Sequence, residues 1–117
     1  MEENFMKREF KLYITDIITS IEKIQTYTKD IVTYEDFKKK DIVVDAVLNN
    51  LLIIGEACSQ IPPEIKNNHS KIEWRQIIDF RNVAIHKYHS VNTKIIWSLI
   101  QDKLPNLKIQ MKELIKN

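Results

Sequence analysis

The chain has 117 residues, enough for one domain spanning 1–117 with a modest core, and its formal net charge of +2 is too small to mark a nucleic-acid partner by itself. At 44% hydrophobic and 29% charged residues it has the composition of an ordinary globular protein. One glycine and three prolines are too few for the turns of an α/β sheet or a β-sandwich, so an all-α fold is expected, and the lone Cys58 excludes an internal disulfide or a cysteine metal cluster.

The first helix is predicted from Glu3 to about Tyr27. Phe10, Ile14, Ile17, Ile21 and Ile24 step by four and three, which lays them on one helical face, while Lys7, Glu9, Asp16 and Glu22 take the other. Thr33 followed by Glu35 and Asp36 reads as an N-cap with an acidic first turn, opening a short helix through Lys40. Asp41 can cap the next helix, Ile42 to Ser59, whose apolar steps are Val44, Val47, Leu51, Ile54 and Cys58. Ala46, Ile53 and Ala57 broaden that arc and predict a central position in a bundle. Gly55 lies inside this helix at a cost of about 1 kcal/mol relative to alanine, which suggests close helix packing.

Ile61-Pro62-Pro63 ends the central helix, and one helical turn between Glu64 and Ser70 leads to a fourth helix from about Glu73. Val91-Asn92-Thr93 offers a cap for a last helix carrying Ile96, Leu99, Ile100, Leu104, Leu107, Met111 and Leu114, which Pro105 should kink or split.

Chemistry-bearing residues crowd into Phe80-Arg81-Asn82-Val83-Ala84-Ile85-His86-Lys87-Tyr88. On an ideal wheel with Ile77 at zero, Trp74, Ile78, Phe80, Ala84 and Ile85 form an apolar arc, and Arg81 falls inside it at about 40°. A guanidinium stays charged, so Arg81 must reach an acid such as Glu56 or Asp79, a cleft, or a second subunit. Asn82 and His86 lie at about 140° and 180°, leaving Arg81 and His86 about 140° apart. One site containing both requires the helix to distort or end near His86, or the arginine to curl around.

Taken singly, these residues have bland readings: an ion-pair arginine and a histidine that caps a helix or faces solvent. His69 and His89 read as solvated loop residues and form no metal-ligand spacing with His86. Cys58 reads as inert core, Trp74 and Trp97 as packing anchors, and Lys38-Lys39-Lys40 as a solvated face that could also meet RNA phosphates. The absence of a phosphate-cradling glycine loop argues against ATP hydrolysis.

The pattern Arg81-x4-His86-x-Tyr88 resembles the motif of HepT-like toxins, a branch of the HEPN ribonucleases. Other landmarks fall in the same order: Asn50-Leu51-Leu52-Ile53-Ile54-Gly55-Glu56-Ala57, Ile61-Pro62-Pro63-Glu64, Trp74-x-x-Ile77-x-x-x-Arg81-Asn82, Ile96-Trp97 and Leu104-Pro105. Lys87 stands where the family commonly has glycine. The resemblance implies a four- to five-helix up-and-down bundle that forms a homodimer, with two Arg-His motifs across a shared cleft. It further implies cleavage of an RNA substrate without a metal or other cofactor, as the toxin of a toxin–antitoxin pair. The implied partner is a minimal nucleotidyltransferase that silences the toxin by transferring AMP to the motif tyrosine. Carried over, Arg81 and His86 are catalytic, Asn82 is supporting and Tyr88 is the AMP acceptor. A catalytically silent helical adaptor, or a nucleotide- or RNA-binding module without turnover, is the alternative. No apolar run approaches the roughly 18 residues of a membrane span, and Met1-Glu2-Glu3-Asn4 is unlike a signal peptide, so a cytoplasmic protein is expected.

Overall fold

The computed structural model of the protein describes residues 2–85 and 92–116, with side chains from residue 9 onward. Among these residues every regular element is helical. α1 spans Glu2–Thr28, α2 Tyr34–Lys38, α3 Asp41–Ser59, α4 Pro63–Asn68, α5 Trp74–Ile85, α6 Thr93–Ser98 and α7 Leu104–Lys116. A π-helical turn, Leu99–Lys103, joins α6 to α7.

α1 buries the predicted stripe: Ile14, Ile17, Ile21 and Ile24 have no exposed surface, and Phe10 is nearly as enclosed. Burying each such side chain stabilises the fold by roughly 1.5–3 kcal/mol relative to leaving it in water. At the end of α1 the buried Thr28 hydroxyl donates back to the Ile24 carbonyl at 2.8 Å, so no polar group is stranded there. α2 starts as expected, with Thr33 Oγ1 accepting from the Asp36 amide at 3.1 Å. Its Phe37 is fully buried and packs on Trp97 of α6, ring centroids 5.2 Å apart.

α3 is the helix against which both α1 and α5 pack. Val47, Leu51, Ile54 and Cys58 are completely enclosed. By length and composition α3 is apolar enough to cross a membrane, contrary to the expectation from uninterrupted runs, but the fold uses it as core, with the exposed Asp41, Asp45, Asn49 and Glu56 on its outer side. Asp41 is not the cap it was expected to be. The N-cap is Lys40, whose carbonyl accepts from the Val44 amide at 2.9 Å, and Asp41 is the first helical residue, where its charge favours the positive helix end. The buried arc is also narrower than predicted, because Ile53 is 38% exposed.

Pro62 caps α4, and Pro63 occupies its first position, where a missing N–H costs nothing. α5 buries Trp74, Ile77, Phe80 and Ala84. Ile85, placed by the wheel in the apolar arc, is half exposed because no described neighbour covers that end of the helix. Asn92 caps α6 by accepting from the Lys94 amide at 3.0 Å. The interruption expected at Pro105 takes the form of the π-helical turn Leu99–Lys103, which divides the last helix into α6 and α7. The chain widens to π pairing over the preceding turn, the Leu104 amide bonding to the Leu99 carbonyl, and then resumes as α7. Lys108 ties α7 to α1, donating to Gln25 at 3.1 Å and pairing with Glu22 at 3.4 Å.

Candidate catalytic site around Arg81

The site begins with a glycine. Gly55 is buried on the α5-facing side of α3, and a methyl group built on it would lie 2.8 Å from both the Cβ and the backbone nitrogen of Arg81. Only the absence of a side chain lets the backbones of α3 and α5 meet there. The close packing expected at Gly55 is therefore found, and Arg81 is the residue it meets.

This contact explains how an arginine occupies an apolar arc. The Arg81 backbone and Cβ lie against α3, while the long stem carries the guanidinium away from that contact, the side chain as a whole being 45% exposed. There Nε lies 2.9 Å from Oε1 of Glu56, the residue after Gly55. Of the two acids named from sequence, Glu56 is the partner. Asp79 instead faces Asn82, whose Nδ2 is 3.5 Å from Asp79 Oδ1. The Glu56 side chain is 48% exposed, so the pair stabilises the fold by under about 1 kcal/mol.

Glu56 also edges a shallow groove between α1 and α3, lined by Tyr13, Asp16, Leu52, Ile53 and Gln60. Cys58 is fully enclosed, with its sulfur 3.7 Å from the Trp74 carbonyl. Burial pushes its thiol up to about 11, so it stays protonated near neutrality and is inert. Trp74 is an anchor as expected, its indole donating to the His69 carbonyl at 3.0 Å. His69 is partly covered rather than fully solvated. Lys38 pairs with Glu35 at 2.9 Å, while Lys39 and Lys40 are exposed. Among the described residues no cluster of three or more His, Cys, Asp or Glu side chains is arranged to hold a metal ion.

The structure thus places two of the four predicted site residues, Arg81 and Asn82, both exposed on successive positions of α5. His86 and Tyr88 lie outside the described residues, as do Lys87, His89 and the expected break at His86. The family model for HepT-like ribonucleases matches residues 17–114, which takes in the C-terminal part of α1, the Gly55–Arg81 contact and most of α7. The chain belongs to the HepT-like ribonuclease family.

This HepT-like chain is 37% identical over 111 residues to "Probable ribonuclease HepT" of Thermococcus cleftensis, an alignment covering 95% of the chain and all of that protein. It is 36% identical over 104 residues to "Putative RNase TTE0752" of Caldanaerobacter subterraneus subsp. tengcongensis, covering 89% and 92% of the two chains. It is also 35% identical over 116 residues to "Gamma-glutamylcyclotransferase and putative RNase MJ0434" of Methanocaldococcus jannaschii. That alignment takes in 96% of this chain but only 52% of the relative, so the chain spans about half of that protein. No solved structure matches the chain significantly. Sequence reasoning named Glu56 only as a candidate ion-pair partner; its adjacency to the one glycine of the HepT-like chain was the available signal.

Proposed function

We propose that the protein is a metal-independent endoribonuclease, the toxin of a toxin–antitoxin pair, acting as a cytoplasmic homodimer of one helical domain and silenced by AMP transfer to Tyr88. The observation that carries this reading is the presentation of Arg81. A permanently charged arginine side chain is held about half exposed at a close helix–helix contact, in a chain of the HepT-like ribonuclease family.

The reaction needs three things: removal of the proton from the RNA's 2′-hydroxyl, stabilisation of charge on the pentacoordinate phosphorus, and protonation of the departing 5′-oxygen. His86 supplies an imidazole, the side-chain type that can both take and give a proton near neutral pH, and so suits the proton transfers. Arg81 offers its donor fork to the non-bridging phosphate oxygens, where charge builds up in the transition state. Asn82 supports the site as a further donor. The oxygen–phosphorus bond to the 2′ position forms as the bond to the 5′-oxygen breaks, leaving a 2′,3′-cyclic phosphate and a free 5′-hydroxyl. One chain supplies one motif histidine and a dimer supplies two, which links dimerisation to acid and base roles. Ile53 beside the Glu56 groove and Ile85 one turn beyond Arg81 are apolar surfaces that a second copy would cover.

Silencing follows from charge. A minimal nucleotidyltransferase joins the Tyr88 phenolic oxygen to the α-phosphorus of ATP, breaking the α–β anhydride and releasing pyrophosphate and a proton. The tyrosine then carries a bulky phosphodiester that opposes entry of RNA phosphate near Arg81. Arg81→Ala and His86→Ala separate this reading from a silent adaptor. Both should abolish RNA cleavage while binding to the nucleotidyltransferase persists, and retained cleavage in either variant would contradict it.

A further inference from the structure

Gly55 and Glu56 are consecutive residues of α3, and both act on Arg81. Gly55 meets the Arg81 backbone and so fixes where the arginine departs from α5. Glu56 takes the guanidinium at Nε, 2.9 Å away, and so fixes where the side chain ends. We infer that Glu56 is the positioning residue for Arg81: its carboxylate holds the guanidinium by Nε, so that the terminal nitrogens meet the scissile phosphate in a set orientation. The inference rests on the ribonuclease reading above and adds a residue to it.

Three observations support this role. The pair is about half exposed at both ends, which leaves the guanidinium open to an incoming phosphate and gives the pairing little weight in folding. The contact is made at Nε, which uses one of the five guanidinium N–H donors, and the two terminal nitrogens carry the other four. Among the described residues no other carboxylate is within ion-pair distance of Arg81, and Asp79, the nearest acid on its own helix in sequence, faces Asn82. A long arginine free in water samples many rotamers. One carboxylate anchored next to the point where its backbone is pinned selects among them before substrate arrives.

The arrangement has a kinetic signature. Glu56 repels the RNA phosphate even as it aims the arginine, so removing it should not weaken RNA binding but should slow the chemical step. Glu56→Ala is expected to lower kcat roughly 100-fold, the scale of a misplacement of about 1 Å, with KM equal or lower. Glu56→Gln keeps an oxygen that accepts from Nε and should recover most of that kcat. Both variants should keep the wild-type helical signal and melting midpoint. In an Arg81→Lys background, where no Nε fork exists, Glu56→Ala should have no further effect on kcat.

The same coupling can be read without turnover, on a 2′-deoxy-substituted oligonucleotide that cannot be cleaved. Glu56→Gln and Glu56→Ala remove the same charge, so in an Arg81→Lys background they should bind it equally. With Arg81 present, Glu56→Gln, which still accepts from Nε, should bind it tighter than Glu56→Ala. Wild-type protein that shows this coupling yet cleaves no RNA overturns the ribonuclease reading alone. Wild-type kcat in Glu56→Ala, or equal binding by Glu56→Gln and Glu56→Ala when Arg81 is present, overturns the positioning role alone.

Discussion

Gly55 on α3 and Arg81 on α5 approach so closely that an added Cβ would lie 2.8 Å from the arginine's backbone nitrogen and 3.2 Å from its Cα. The opposing atoms are mostly main chain, so a methyl group cannot be accommodated by a rotamer change. Gly55→Ala should force α5 outward. Overpacking of this kind costs roughly 1–3 kcal/mol, offset by about 1 kcal/mol from alanine's better helix propensity. A net loss of stability in urea unfolding is expected, with a fall in RNA cleavage larger than the loss of folded protein explains. An unchanged unfolding midpoint would show that the helices are not in contact at this point.

The dimer prediction rests on Ile53, three residues before Glu56 on α3, and Ile85, four residues after Arg81 on α5, which are 38% and 50% exposed. Solution scattering at micromolar concentration should give the mass of two chains. Ile53→Glu with Ile85→Glu should give one chain with the helical signal intact, because neither side chain belongs to the buried core. A wild-type monomer, or a double variant that remains dimeric, would count against this face.

Tyr88 should be the control point. A cognate nucleotidyltransferase with ATP and magnesium should add AMP there and stop cleavage, since a phenol with a reference pKa of about 10 has no acid–base role at neutral pH but is a competent acceptor. Tyr88→Phe should cleave RNA and escape silencing. Peptide mass spectrometry that finds the AMP on Tyr34 instead would remove Tyr88 from the account.

Cys58 sets a pH dependence of stability. Burial raises its thiol from the ordinary 9.0 to about 11. The unfolded thiol therefore ionises first as pH rises, and the folded state binds more protons above pH 9. Stability is untouched by this group below pH 9 and is progressively lost between pH 9 and about 11. Comparison of the wild type with Cys58→Ala across that range should show the variant losing less. Parallel curves would show that the thiol ionises freely in the fold.

Much of the fold was legible because helical periodicity reports faces. The α1 stripe, the α3 core positions and the Thr33 cap all follow from spacing alone. Spacing does not report which part of an apolar arc gains a neighbour, and so Ile53 and Ile85 were misjudged as covered. The Arg81 anomaly was visible on the wheel, but choosing Glu56 over Asp79 required knowing that Gly55 brings α3 against α5. Pro105 announced an irregularity without fixing its form, since a split, a kink and a π turn all relieve the same missing amide and ring clash. The relation of Arg81 to His86 and Tyr88 was proposed from motif and chemistry and lies outside the described residues.

The central claim is that the RNA's own 2′-hydroxyl is the nucleophile, with Arg81 and His86 in attendance. It is tested most directly by incubating the purified protein with a defined RNA in the presence of a chelator and determining the mass of the product ends. The account predicts cleavage that survives chelation and leaves a 2′,3′-cyclic phosphate and a 5′-hydroxyl, and that is lost in Arg81→Ala and His86→Ala. Activity abolished by the chelator and restored by magnesium, or products carrying a 5′-phosphate, would contradict it.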